Sequence, residues 1–248
     1  MVEVLRGGLT ASFILLLALM SPAVVAPLVH GGSRQLAQGH NLPSVEFMEV
    51  RVASVDDQAV TVVKGGEALR LLVKGGWVAV TEERVERGPW AEVKGLVEEG
   101  PATVAVASVG EGDEQLLLGL KQGDVALLSP ALIRRCAERR VHTRLYMGVR
   151  GEVVHVGGNY LVVERDGRRA LAITEGRWLK AGGGEVAWSE VADEFREGDV
   201  VRLFCHNVLI MEDEFAEAFG LNAFIWGYSG AIIDLTSGVA LQRIPSGA

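Results

Sequence analysis

Two groups of side chains in this chain have the types and spacing to do chemistry, and both are chemistries of recognition. Tyr160, Arg168, Arg169 and Trp178 fall within nineteen residues. Two aromatic rings beside two guanidiniums form a ligand-binding set that stacks a base or sugar and pairs with its anionic groups. The second group is Arg134, Arg135, Arg139, Arg140, Arg144 and Arg150, six arginines in seventeen residues opposed only by Glu138. Such a run docks an acidic protein surface, anionic lipid headgroups or nucleic acid; its simplest role is pairing with Glu82, Glu83, Glu98 and Glu99. Bond-making chemistry has no comparable set. No GxSxG, HExxH or phosphate-loop pattern occurs. Cys205 and His206 adjoin in a strand-like run, where neighbours point to opposite faces and do not share a metal. Gly182-Gly183-Gly184 reads as a flexible loop. The expectation is a protein with no catalytic residue, no metal and no cofactor.

The elements that must hold these side chains occur twice. Phe47-Met48-Glu49-Val50-Arg51 matches Tyr146-Met147-Gly148-Val149-Arg150. Gly75 and Trp77 match Gly176 and Trp178, and Trp90-Ala91-Glu92-Val93 matches Trp188-Ser189-Glu190-Val191. Glu99-Gly100 matches Glu197-Gly198, and all these pairs lie 98 to 101 residues apart. A duplication of this size predicts two modules of ordinary domain length.

In the second copy Tyr146–Val156 alternates and is β-branched, which predicts a strand. Gly157-Gly158-Asn159 predicts a turn through positive-φ residues, Tyr160–Glu164 a second strand, Arg165-Asp166-Gly167 a second turn and Arg169–Thr174 a third strand. The first copy repeats this with turns at Asp56-Asp57 and Lys64-Gly65-Gly66. The period then becomes helical through Trp188, Val191, Ala192 and Phe195, and through Trp90, Val93, Leu96 and Val97. Trp90 and Trp188 are expected in the core, with Trp77 and Trp178 half exposed. Later apolar runs match Leu116–Gly119 to Phe224–Gly227 and Val125–Leu128 to Ile232–Leu235. In the first copy Ala59, Ala68 and Leu69 surround the positions of the aromatic–arginine set. That asymmetry assigns ligand binding to the second copy.

Three meandering strands, a helix and further strands resemble the OB superfamily, as does Phe195-Arg196-Glu197-Gly198-Asp199-Val200-Val201 leading into a fourth strand. The resemblance implies a mainly β protein. It would have two tandem small OB-like β-barrels, each with one short helix, after an N-terminal hydrophobic helix. Residues 1–30 would be a membrane anchor or signal segment and 31–45 a tether. Residues 46–130 and 146–248 would be the barrels, joined by an arginine-rich connector at 131–145 whose Leu132, Ile133, Cys136 and Val141 form one face of a short helix.

Leu9 to Val29 carries no charge over twenty-one residues, long enough to span a bilayer core. Read as a signal anchor, it places both modules outside the cytoplasm; read as a signal peptide, it is cut near Ala23-Val24-Val25-Ala26 and the modules are secreted. The net charge of −8 disfavours nucleic acid as a partner. Two cysteines, Cys136 and Cys205, have no counterparts in the repeat, and sequence leaves open whether they pair.

The expected function is that of a membrane-tethered, extracytoplasmic binding or scaffold protein with a protein partner. A single-stranded nucleic-acid-binding protein is the first alternative. A carrier of haem or another cofactor is the second, since the anchor and Phe195-Arg196-Glu197-Gly198 resemble the haem chaperones of cytochrome c maturation. Those proteins carry His or Cys four residues before Tyr in the tail; here Leu209 follows Cys205 at that spacing, and no His or Cys lies beyond Met211.

Overall fold

The computed structural model describes residues 44–108, 114–141, 147–227 and 230–244. The apolar run Leu9–Val29 and the tether through residue 43 fall outside them, and Val45, expected at the tether's end, opens the first strand. Among the described residues no helix is long and apolar enough to cross a membrane.

The first copy runs β1 (Val45–Val55), β2 (Ala59–Lys64), β3 (Glu67–Leu72), β4 (Gly76–Val80) and β5 (Val85–Pro89). Then come α1 (Trp90–Val93), a 3-10 turn over Lys94–Leu96, β6 (Gly100–Ser108), β7 (Gln115–Gln122), β8 (Val125–Leu128) and α2 (Pro130–Arg135). The rest of the chain runs β9 (Ala137–Val141), β10 (Met147–Val156), β11 (Tyr160–Arg165), β12 (Arg168–Ile173), β13 (Arg177–Lys180) and β14 (Gly184–Ala187). It ends with α3 (Trp188–Val191), a 3-10 turn over Ala192–Glu194, β15 (Val200–Met211), α4 (Asp213–Phe219), β16 (Ala223–Gly227), β17 (Ala231–Asp234) and β18 (Ala240–Arg243).

The protein is mainly β and contains a closed mixed β-barrel. β1 pairs with β2, β2 with β3 and β1 with β6, all antiparallel; β7 pairs with β6, and a short parallel pairing of β3 with β7 closes the ring. In the second copy β10, β11, β12, β16 and β15 make the same circuit, again with one parallel pairing, between β12 and β16. Each first strand carries a bulge at the same place, between Val52 and Ser54 and between Val153 and His155. A bulge increases the local twist, which lets a strand turn the corner a small ring demands. Closure leaves no ring strand with an unpaired edge.

Inside the first ring two of the repeated tryptophans meet. Trp90 packs against Trp77 with centroids 5.2 Å apart, and its indole N–H donates to the Asp56 carbonyl at 2.8 Å. Trp188 does the same to the Gly157 carbonyl at 3.0 Å. In both copies the helical turn is therefore pinned to the β1–β2 or β10–β11 turn. Trp77 and Trp178, expected half exposed, are buried. They differ in one bond. Trp178 donates to the Thr174 carbonyl at 3.0 Å, whereas the buried Trp77 indole N–H has no partner. Trp178→Phe should therefore destabilise by about 1–2 kcal/mol more than Trp77→Phe, because only the former breaks a made bond; chemical denaturation of the two variants measures the difference.

The expected strand–helix order lacks four elements that the structure contains. A hairpin, β4–β5 or β13–β14, stands between the third strand and the helix in each copy. Gly182-Gly183-Gly184 belongs to that hairpin's turn, with φ of 77° at Gly182 and 96° at Gly184. The partner of β8 in the repeat is β18, not Ile232–Leu235: β8 pairs with β4 as β18 pairs with β13. The connector is no linker either. Leu132 and Ile133 on α2 and Cys136 at its end are buried, while Val141 lies in β9, which pairs with β15. Among the described residues the α4 helix has no counterpart in the first copy.

Leu42–Ala248 form one compact unit with three hydrophobic cores. One fills the first ring, around Val60, Val62, Leu71, Trp77 and Leu120. Another fills the second, around Leu161, Val163, Trp178, Leu203 and Ile232. The third lies between the rings. Val78, Ala105 and Leu128 of the first copy meet Tyr160, Leu171 and Ile173 of the second. Leu132 of α2 and Phe215 and Phe219 of α4 complete it. Fully burying each such side chain contributes roughly 1.5–3 kcal/mol, so this core holds the rings together.

Candidate functional site

The predicted stacking set does not form a face. Tyr160 is 3% exposed and Trp178 is 0% exposed, while Arg168 and Arg169 are exposed on β12. Arg169 pairs with Glu164 on β11 at 2.8 Å. Trp178 lies in the core of the second ring and Tyr160 in the core between rings. A buried ring has no face to offer a base or sugar. These two positions are thus corrected from ligand-binding to structural.

Tyr160 is the centre of a junction. Its hydroxyl donates to the Thr81 carbonyl at 2.6 Å, with the Glu82 carbonyl 3.1 Å away. Beside it, the Asn159 amide pairs with the backbone of Val85 in both directions, accepting from its N–H and donating to its C=O, each at 2.7 Å. The side chain so behaves as one more residue of ladder along β5. The Gly158 N–H donates to the Glu83 carbonyl, and His155 Nε2 lies 2.6 Å from the Glu82 carbonyl. A carbonyl only accepts, so Nε2 carries the proton.

Gly157 and Gly158, expected to supply positive φ, are absent from the positive-φ residues. They are needed for closeness instead. A Cβ on Gly157 would lie 2.1 Å from the Tyr160 ring, and one on Gly158 would lie 3.1 Å from the Glu83 carbonyl. Of the residues that make the second copy look ligand-ready, Tyr160 is the one that seats it on the first.

The equivalent face of the first copy is open. On the outer side of β2 and β3, Thr61 stands where Val162 stands in the second copy, and Arg70 stands for Leu171. Thr61 is half-buried and Arg70 exposed, whereas Leu171 is buried. Arg70 lies 3.9 Å from the Asp56 carboxylate. Asp56 Oδ1 accepts from the backbone N–H of Gln58 at 2.7 Å and of Ala59 at 2.8 Å. The Gln58 bond, with Arg70 and Lys94 nearby, holds that carboxyl below its ordinary range. The face carries Thr61 and Arg70 beside Val63, Ala68 and Leu72 and is framed by an ordered turn.

A cleft of about 550 Å³ opens along the junction, between Arg84, Glu86, Gly88 and Glu92 of the first copy and Asn159 and Glu175 of the second. Glu92 lies over Gly88, where a Cβ would come within 2.6 Å of its carboxylate. At the corresponding place in the second copy Val186 replaces Gly88, Ala187 donates its N–H to Glu190 at 2.6 Å, and the hollow is about 260 Å³. The charges of the larger cleft are partly spent. Arg84 pairs with Glu86 at 2.5 Å, and Glu175 accepts from Asn159 at 2.9 Å.

Of the connector arginines, Arg134 and Arg135 are exposed in the last turn of α2, where positive charge suits the carbonyl end of a helix. Neither forms an ion pair among the described residues, so the expected pairing with Glu82, Glu83, Glu98 or Glu99 is not made by them. Arg139 and Arg140 sit in β9 opposite Ile210 and Leu209. Arg144 falls outside the described residues. Phe195-Arg196-Glu197-Gly198 serves the fold: Phe195 is buried against Trp188, Arg196 N–H bonds the Asp199 carboxylate at 2.8 Å, and Gly198 has φ of 89°.

Cys136 and Cys205 are both buried and lie in different cores. Burial pushes each thiol up to about 11, from an ordinary 9.0. Burial likewise pushes the Tyr160 phenol up to about 12, from 10.0, with Glu82 and Asp124 adding to it. In each case the unfolded chain loses the proton first. Stability that is whole below the unfolded values of 9.0 and 10.0 is therefore lost as pH rises through about 11 and 12. Denaturation midpoints should fall between pH 9 and 11, and Tyr160→Phe should flatten the upper part of that fall. Native thiols should resist alkylation at pH 8 and react fully once the chain is unfolded.

Comparison with protein-family models, curated proteins and solved structures finds no match to this chain.

Proposed function

We propose that the chain is a non-catalytic binding scaffold, built from two tandem OB-like barrels and held at a membrane by Leu9–Val29 with its barrels outside the cytoplasm. One observation carries the reading. The outer β11–β12 face of the second copy is consumed by the core between the rings, while the matching β2–β3 face of the first copy lies outside that core and carries the exposed Arg70 and half-buried Thr61. Duplication followed by docking gives a rigid body with one presented face. A scaffold needs that rigidity, because a partner then pays no cost for ordering the platform.

The proposed partner is a protein that meets Thr61, Arg70 and the Asp56–Gln58 turn. Single-stranded nucleic acid is the weaker reading, since its stacking platforms would be Tyr160 and Trp178, which are buried. The test places a photo-activated crosslinker at Thr61 in intact cells, with the same crosslinker at exposed Leu179 as the comparison. A discrete protein adduct at Thr61 alone supports the reading; equal adducts at both positions, or none, contradict it. Protease added to intact cells should digest both barrels, and protection would overturn the extracytoplasmic placement.

A further inference from the structure

The outer face of β10 and β15 departs from the repeat in a way that the core between the rings does not explain. In the first copy this face carries Glu49, whose carboxylate accepts from Thr103 at 2.6 Å, and Arg51 opposite Pro101. Counted from the shared bulge, Arg150 opposite Arg202 stands in the second copy for Glu49 opposite Thr103, and Glu152 opposite Val200 stands for Arg51 opposite Pro101. The acid has moved two residues along the strand, and at its former place two arginines are partners across the ladder. Like charges in that position are destabilising unless something relieves them.

What relief there is comes from shape. The Arg202 guanidinium lies 5.2 Å over the Phe204 ring. It also covers Gly148, where a Cβ would come within 3.2 Å of its Nε. No carboxylate pairs with Arg150 or Arg202 among the described residues; Glu152, two positions along β10, makes no ion pair with either. In a chain of net charge −8, two arginines at partner positions with no carboxylate pair among the described residues are against the general trend.

We propose that Arg150 and Arg202 form a binding site for one phosphoryl group. Two planar forks with two charges match a dianionic phosphate, whose oxygens accept from both at once. Phe204 holds the stacked Arg202, whose guanidinium takes the space that a side chain at Gly148 would fill. The phosphoryl group is one carried on a lipid headgroup or free in solution. The site is independent of the open β2–β3 face and of the N-terminal tether.

The test uses the full chain in mild detergent and the arginine reagent phenylglyoxal, with labelling rates read by mass spectrometry. Inorganic phosphate is one probe; vesicles of phosphatidic acid in phosphatidylcholine are the other, against phosphatidylcholine alone. At least tenfold slower labelling of Arg150 and Arg202, with Arg70 and Arg168 unchanged, is expected with one probe or both. Protection by inorganic phosphate assigns a free phosphate, and protection by the acidic vesicles alone assigns a headgroup. Arg150→Gln should abolish protection of Arg202 while leaving the thermal midpoint equal or higher, since it removes a like-charge pair. Unchanged labelling with both probes, equal protection of Arg70, or a lowered midpoint in Arg150→Gln overturns the proposal.

Discussion

Leu171→Arg should unfold the protein or split its rings at a cost of at least about 4 kcal/mol, the penalty for an unpaired charge in a buried site. Leu171 is 1% exposed between the rings, among Tyr160, Ile173 and Phe224. The new residue is not foreign to the fold: arginine is what the first copy has at this place, as Arg70. The reciprocal change, Arg70→Leu, should alter stability by no more than about 0.5 kcal/mol, because that side chain is exposed and its pairing with Asp56 is long. Urea denaturation of both variants reads the difference. Equal small effects would mean that the face of β12 is not covered.

Tyr160→Ala should cost about 3–5 kcal/mol, as large-to-small changes at buried aromatics do. It removes a ring packed on Gly157 and His155, and it leaves the Thr81 carbonyl without its donor, while the Glu82 carbonyl keeps His155. Tyr160→Phe isolates the second part and should cost about 1–2 kcal/mol. The loss has an address. Hydrogen exchange should rise first at Val85, whose N–H is held by the neighbouring Asn159, before the ring cores open. If exchange instead rises evenly over both rings, the junction is not a separate seam.

These expectations rest on an asymmetry that the sequence displays and that is easily misread. The turns at Asp56-Asp57, Lys64-Gly65-Gly66 and Arg165-Asp166-Gly167 were legible because turn chemistry is local; Gly65, Gly66, Asp166 and Gly167 all have the positive φ that such turns need. The helix tryptophans were legible because burial on a short apolar stripe is a local pattern too. The hairpins after the third strands were not, since four or five residues around Trp77 and Trp178 carry too little alternation to stand out.

The candidate face failed for a different reason. A tyrosine among arginines has the composition of a binding platform, and composition does not say which side of a strand is covered. A signal was available. Tyr160-Leu161-Val162-Val163 and Ala170-Leu171-Ala172-Ile173 are apolar at every position, whereas Ala59-Val60-Thr61-Val62 and Leu69-Arg70-Leu71 alternate. Strands that are apolar on both faces are buried on both. Read that way, the second copy's strands announce a covering layer, and the only module of matching size is the first copy. The departures from the repeat still mark where the two copies differ in role: Val162 and Leu171 mark attachment, Thr61 and Arg70 mark presentation.

Hydroxyl-radical footprinting of the native full chain tests this account most directly. It predicts that Tyr160, Leu171 and Ile173 are labelled as slowly as the ring-core residues Leu161 and Leu203, and that Leu72 on the open face of the first copy is labelled faster. Labelling of Tyr160 and Ile173 at the rate of Leu72 would contradict it, since the second copy's face would then be exposed.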